Sequence, residues 1–439
     1  MENKKSNSIS RREFLRMSAI GVAGMLVLPS FILKNEGKAT GKKVINLAFI
    51  GLGRQGMYLV DSFMKFENVN IVAGCDVYKI KRTRFENKIN NYYQGKGVNS
   101  PVKVVEDYHA IIKDPKVDAV VIASPDHWHA LMAIEACNAK KDIYLEKPLT
   151  FTIQEGQQLI KAVRRNNVVL SVGSMQRSDT HFQQVVKMIH DGRIGQIEKV
   201  SVWVGEDPHP KAYNLPSETI PEGLNWDMWT GPAPLLTFNN QLNPPISLDP
   251  PVNEKIWGAW RWYKELSGGL MTDWGAHMID IAQWGLKRDK SGPVKIQPAG
   301  FAGNKYLTYL YDDGIKMVLE PIKGDMRGVK FWGKDSWIEV ARGYFDASSE
   351  ELKAIYKNDG KGAKTWIGHH QNFIDSIISR KDPLVPVEVG HHSGTVCTLG
   401  NIAHELNKEL EWNPISQKFT GKFDASKLLH YNYRQGYKL

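Results

Sequence analysis

Three short stretches of this chain carry side chains whose types and spacing could do chemistry. They are Gly51-Leu52-Gly53-Arg54-Gln55-Gly56, Glu146-Lys147-Pro148, and a segment with Asp273 and His277 four residues apart. The first has the Gly-x-Gly-x-x-Gly spacing of a dinucleotide-binding turn. Gly51 lets the chain turn off a strand, Gly53 lacks the side chain that would block a pyrophosphate, and Gly56 lets the next helix sit close to the sheet. The helix start adds unpaired N–H groups and a positive dipole end facing the phosphates. The context fits: an apolar run from Val44 to Ile50 precedes the turn, and a helical pattern follows it. A second run, Val69 to Cys75, ends on Asp76, roughly 20 residues past the last glycine, where such units keep an acid. Asp76 can accept hydrogen bonds from ribose hydroxyls and repel a 2′-phosphate, which favours NAD. Lys81, Arg82 and Arg84 lie near the adenosine end and could admit that phosphate, so NADP is the minority reading. The competing interpretation is a glycine-rich turn in another doubly wound sheet.

The other two stretches supply groups able to move charge. Pro148 restricts Lys147 to an extended backbone, which aims an ammonium out of a strand end. An ammonium there can hold a hydroxyl and stabilise a developing alkoxide. Asp273 and His277 share a helix face by spacing. A carboxylate beside an imidazole fixes its tautomer and raises its basicity, as acid–base work needs. Asp280 is the alternative partner for His277. The structural interpretation is a surface lysine, a helix-capping aspartate and a satisfied core histidine. For the Asp273–His277 pair taken alone, that interpretation is the better one.

These groups need elements to position them. Buried strands are expected at Val44–Ile50, Val69–Cys75, Val102–Val105, Val117–Ala123, Asp142–Leu145 and Val168–Val172, with helices between them. The strand Val117–Ala123 ends in Ser124-Pro125-Asp126-His127-Trp128-His129, at the strand end where open α/β sheets place ligands. The next helix is expected from about Ala130. His127 and His129 are read as lining the cofactor pocket; no third ligand has telling spacing, so no metal is expected. Past Gly173 short strands, aromatics and prolines dominate. Strands are expected at 199–205, 300–311, 315–319, 329–332 and 337–341, with a proline-rich loop over 208–251. Most of the 13 tryptophans fall there, a composition suited to stacking on sugar faces as well as to core packing. His369-His370 and His391-His392 are read as helix and loop residues.

The three stretches together resemble the Gfo/Idh/MocA oxidoreductases, the family of glucose–fructose oxidoreductase and inositol dehydrogenase. The Glu146-Lys147-Pro148 motif and Ser267-Gly-Gly-Leu-Met-Thr-Asp273-Trp-Gly-Ala-His277-Met-Ile-Asp280 carry the likeness, which runs from about 44 to 415. It implies a Rossmann domain over 44–172. A C-terminal α+β domain with a large open, mostly antiparallel sheet would follow over 173–439. It also implies that Lys147 positions a reacting hydroxyl, His277 moves its proton and Asp273 supports both, with hydride exchanged at nicotinamide C4. Gly51, Leu52, Gly53, Arg54, Gln55, Gly56, Asp76, Ser124, Pro125, His127, His129, Glu146 and Lys147 are the expected cofactor contacts. Arg177, Arg261 and Trp262 are candidate substrate contacts, with Asp273 and His277. Relatives form dimers or tetramers, so a homo-oligomer is expected.

Composition narrows the partners. The net charge is +10, but residues 1–43 hold nine Lys/Arg against three Asp/Glu, which leaves only +4 on the rest. That body gives no case for nucleic acid or an anionic membrane. Cys75, Cys137 and Cys397 show no Cys-x-x-Cys spacing and are expected as small buried apolar residues. Ser10-Arg11-Arg12-Glu13-Phe14-Leu15-Arg16, before the apolar run Met17–Leu28 and Pro29, resembles a twin-arginine export signal. Residues 1–43 are therefore read as signal and linker. The translocase would be a partner, and the location periplasmic or otherwise exported; an uncleaved signal would leave a membrane tether. Because that route exports folded proteins and free NAD is scarce outside the cytoplasm, the cofactor would leave with the protein.

Three functions fit these expectations. The first is an NAD-dependent oxidoreductase acting on a hydroxyl of a sugar or polyol. The second is a glycoside-cleaving enzyme that oxidises its sugar transiently and eliminates; it needs an extra base. The third is a non-catalytic sugar or cofactor sensor, which would have no use for Lys147, Asp273 and His277.

Overall fold

A computed structural model describes residues 43–98, 101–254, 256–357 and 366–439. The expected export signal lies outside these residues. Six parallel strands form the first sheet: β1 (Ile45–Ile50), β2 (Val69–Cys75), β3 (Lys103–Val105), β4 (Ala119–Ile122), β5 (Asp142–Leu145) and β6 (Leu170–Val172). Their order is β3-β2-β1-β4-β5-β6, so the winding direction reverses between β1 and β4. The register pairs Ile50 with both Cys75 and Ile122, which brings three strand ends level. The central strands are almost wholly buried because helices cover both faces, and their continuous apolar sequences reflect this. The helix Ile153–Asn166 opens on a capping box between Thr152 and Glu155.

One boundary differs from expectation in a way that matters. The helix after β4 runs Asp126–Asn138 and does not wait for Ala130. Pro125 sits extended at its N-cap and Asp126 supplies an acid in its first turn, both favourable at a helix start.

The second sheet has nine strands, in the order β15-β14-β13-β7-β12-β11-β10-β16-β17. Here β7 is Ile197–Trp203, β10 Lys295–Gln297, β11 Thr308–Leu310, β12 Lys316–Val318, β13 Gly328–Gly333, β14 Trp337–Ala341, β15 Tyr344–Ala347, β16 Leu410–Asn413 and β17 Lys418–Phe419. A separate two-stranded hairpin, β8 (Ser247–Leu248) with β9 (Pro251–Val252), lies between β7 and β10 in the chain. Neighbours in the large sheet are antiparallel except β7 and β12, which are parallel, so the sheet is mixed. The expected strand over 300–311 shrinks to β11, because Gly300 and Ala302 adopt positive φ and turn the chain first. Val200, Val202, Phe331 and Val340 on one face share a core with Met278, Ile279, Val396 and Leu399 from the helices Gly275–Gly285 and Val387–Leu406.

Late segments return to the first sheet. Phe373, Ile374 and Ile377 of the helix Trp366–Ser379 pack with Phe63 and Tyr144. His369-His370 lies in that helix; His391-His392 lies inside the helix Val387–Leu406, not in a loop. Near the end, the Tyr433 hydroxyl donates to Glu155 Oε1 at 2.6 Å. All three cysteines are buried thiols.

Candidate active site

A cavity of about 550 Å³ opens at the carboxyl ends of β1, β2, β4 and β5, where the winding direction reverses. One end is built mainly from backbone. Gly51 has φ +88°, and a Cβ there would lie 2.7 Å from the Ala123 and Ser124 backbone. A Cβ on Gly56 would collide with the Gly51 carbonyl oxygen. The helix Arg54–Phe63 begins at Gly53 with no side chain capping it. Asp76 is fixed at both oxygens: Leu52 N–H donates to Oδ2 at 2.8 Å and Tyr78 N–H to Oδ1 at 2.9 Å. Leu52, expected as a cofactor contact, is fully buried and is not among the residues lining the cavity. Gln55 Nε2 donates to Glu146 Oε1 at 2.7 Å, and burial raises the pKa of that glutamate. Ser124 Oγ is buried without a partner among the described residues, and Pro125 lines the cavity beside it. The three cations near Asp76 have acceptors. Lys81 pairs with Glu254 at 2.8 Å, Arg82 donates to the Asp76 carbonyl at 2.6 Å, and Arg84 donates to the Leu52 carbonyl at 2.5 Å. Arg54 stacks on Trp257, 4.6 Å from the ring centre.

This end fits a dinucleotide. Two glycines sit where side chains would collide, an uncapped helix start lines the cavity, and Ser124 Oγ is a buried hydroxyl without a partner among the described residues.

The other end is built from side chains. Lys147 Nζ donates to Asp273 Oδ1 at 2.5 Å and to the Asp273 carbonyl at 3.0 Å. Arg261 Nε lies 3.8 Å from the same carboxylate oxygen. Burial alone would raise the pKa of Asp273; Lys147 first and Arg261 next outweigh it and hold it below the ordinary value. His277 lines the cavity as a neutral imidazole. Burial, then the positive charges of Lys147 and Arg342, pull its pKa well below the ordinary value. Its Nδ1 is buried with no partner among the described residues.

The structure therefore brings Lys147, Asp273 and His277 to one cavity but does not pair Asp273 with His277. Asp273 closes the short helix Leu270–Asp273, His277 belongs to the next helix, and the carboxylate turns to Lys147. Asp280 does not orient His277 either. It accepts from Arg177 Nε at 2.8 Å and from Ser393 Oγ at 2.7 Å. Arg177 is correspondingly engaged with Asp280 and Asp289 and lies outside the cavity, so it is a core ion-pair residue and not a substrate contact. Arg261 and Trp262 do line the cavity.

His127 and His129 are also corrected. Both are buried behind the cavity wall. His127 Nε2 is 3.1 Å from the Trp229 carbonyl, and the His129 ring nitrogens are 2.8 Å and 3.0 Å from the Pro148 and Ser124 carbonyls. His129 ties together the segments after β4 and β5, and His127 anchors on the helix Trp226–Thr230. The early helix start turns Asp126 and Trp128 inward in their place.

Asp126 is the site residue that sequence reasoning passed over. Ser267 Oγ donates to its Oδ2 at 2.6 Å. Burial pushes its pKa up to about 7, against the lowering pull of Ser267, Lys147 and Arg261. Its signal was its place beside Pro125, obscured by two histidines of more familiar chemistry. Seven tryptophans line the cavity: Trp128, Trp229, Trp257, Trp260, Trp262, Trp274 and Trp366.

Comparison with known proteins agrees with the two-sheet fold. Residues 45–174 match a model described as an oxidoreductase family, NAD-binding Rossmann fold, and residues 179–439 one described as an oxidoreductase family, C-terminal alpha/beta domain. The myo-inositol 2-dehydrogenase of Thermotoga maritima is 28% identical over 166 residues, covering 38% of this chain and 46% of that protein. The alpha-N-acetylgalactosaminidase of Shewanella oneidensis is 26% identical over 208 residues, 44% of this chain and 45% of that protein. The chain thus spans about half the length of the curated relatives it matches. Among solved structures, scyllo-inositol dehydrogenase from Lactobacillus casei, with bound NAD(H) and scyllo-inositol, shares the fold. Its TM-score is 0.56 at 18% identity, over 84% of this chain and 99% of that one.

Proposed function

The chain belongs to the Gfo/Idh/MocA oxidoreductase family, and from that premise we propose that it is an NAD-dependent oxidoreductase acting on a hydroxyl of a sugar or polyol. The observation that carries this reading is the Lys147–Asp273 pair, 2.5 Å apart, in the same cavity as the glycine turn. When bound, NAD supplies the hydride acceptor or donor. The helix start after Gly53 would hold its pyrophosphate, and Asp76 would accept from the adenosine ribose. NADP is the weaker fit, since Lys81, Arg82 and Arg84 are occupied by other acceptors. Lys147 donates to the reacting hydroxyl and stabilises charge developing on its oxygen. Asp273 holds that ammonium in place through its carboxylate and its carbonyl. His277, neutral and with an unused ring nitrogen, takes the hydroxyl proton. The tryptophan wall supplies flat apolar surface for a sugar face.

A second reading has its own support. A glycoside-cleaving enzyme needs an additional base, and Asp126 titrates near neutrality in the same cavity. A relative named alpha-N-acetylgalactosaminidase points the same way.

The Ser10–Arg16 motif supports export through the twin-arginine route with cofactor already bound.

The test is mass spectrometry of the gently purified protein, followed by a panel of sugars and glycosides. Copurifying nicotinamide dinucleotide, with keto-sugar formed, supports oxidation. Aglycone release at constant cofactor state supports lysis. A protein that neither carries nor binds NAD overturns both.

A further inference from the structure

We infer that the substrate is anionic: a sugar bearing a carboxylate, sulfate or phosphate group that Arg327 and Arg342 hold at the cavity's outer end. This rests on the reading of the cavity as a sugar-oxidising site. The sheet register carries the argument. β13 pairs Gly328 with Ala341 of β14, which makes Arg327 and Arg342 cross-strand neighbours one step beyond. Like charges in that position repel, and an anion bound between them would relieve the repulsion. Both guanidiniums lie over the Trp274 ring, at 4.5 Å and 4.6 Å from its centre, and Trp274 adjoins Asp273 in the chain.

Neither arginine has a carboxylate partner among the described residues. Arg342 Nε donates to the neutral Gln176 Oε1 at 2.8 Å. Stacking on an indole satisfies the face of a guanidinium and leaves its N–H donors unused. Three other arginines each hold two carboxylates: Arg177 with Asp280 and Asp289, Arg288 with Asp312 and Asp313, Arg164 with Asp382 and Glu388. The outer end of the cavity thus carries Lys147, Arg261, Arg327 and Arg342, four positive charges. Asp273 is shared by Lys147 and Arg261, so the charges at this end left without an ion-pair partner among the described residues are those of Arg327 and Arg342. Two adjacent guanidiniums without a carboxylate partner suit an oxyanion, and their planar forked donors match carboxylate, sulfate or phosphate oxygens. Arg342 is exposed and Arg327 half-buried, so the anionic group would sit at the mouth while the rest of the sugar reaches Lys147.

The test compares matched neutral and acidic ligands: methyl glucoside, methyl glucuronide, glucose 6-sulfate and glucose 6-phosphate. Binding is read by calorimetry on the NAD-loaded Lys147→Ala protein, and kcat/KM on the unsubstituted one. The expected result is acidic ligands favoured about 100-fold, with most of that preference lost in Arg327→Gln/Arg342→Gln and neutral ligands changed less than about threefold. Which acidic arm leads tells a carboxylate from an ester. Unchanged NAD content and Tm show that the double variant folds. Equal handling of neutral and acidic sugars overturns the inference and leaves the oxidoreductase reading standing. Acidic ligands that bind tightly but are never oxidised uphold the anion site and overturn the reading beneath it.

Discussion

The two ends of the cavity are made of different material. The dinucleotide end is a turn, a helix start and one carboxylate, within 26 consecutive residues from Gly51 to Asp76. The outer end draws Lys147 from a strand end, Asp273 and His277 from two short helices, and Arg327 and Arg342 from a hairpin. Backbone geometry therefore governs one end and side-chain charge the other. The two ends should fail differently when damaged.

The largest expected effect is at the outer end. Lys147→Ala should lower kcat/KM by about 10³-fold while dinucleotide affinity stays within about twofold. Fluorescence titration beside steady-state kinetics would check it, and an equal loss in both would erase the distinction between the ends. Gly51→Ala should do the opposite. A side chain at φ +88° against Ala123 and Ser124 costs about 2 kcal/mol or more, so both Tm and dinucleotide binding should drop. Asp76→Ala should weaken NAD about tenfold and leave the sugar KM alone. Retention of full NAD affinity would remove Asp76 from the ribose site.

The smallest effect sharpens the comparison through pH. The folded pKa of Asp126 is raised to about 7, so the folded state binds this proton more tightly than the unfolded chain does. Its contribution to stability is greatest at acid pH and declines as pH rises from the unfolded value towards 7. Asp126→Asn removes that penalty. The variant should gain about 1–3 °C in Tm at pH 8 and less at pH 5, as calorimetric scans would show. A gain independent of pH would mean that Asp126 does not titrate there.

Legibility in the sequence followed the same division. The turn, its flanking strands and Asp76 were readable because local rules bind them: a strand period, a glycine spacing, an acid at a fixed distance. Lys147 was readable because Pro148 marks its strand end. The Asp273–His277 spacing was readable too, but its meaning was not. Four residues put two groups on one helix face only if the helix is continuous, and the chain breaks at Trp274. His127 and His129 looked chemical, yet a helix that begins at Asp126 turns them into the core. Arg177 looked like a substrate contact, yet two distant carboxylates hold it.

What the sequence by itself determined is the family, the two sheet types and the dinucleotide turn, because each follows from short-range pattern. The tertiary structure decided which charges meet. It gave Asp273 to Lys147, Asp280 to Arg177 and a shared indole to Arg327 and Arg342. Coulomb energy depends on distance in space, and no local rule links residues so far apart in the chain until the sheets have packed.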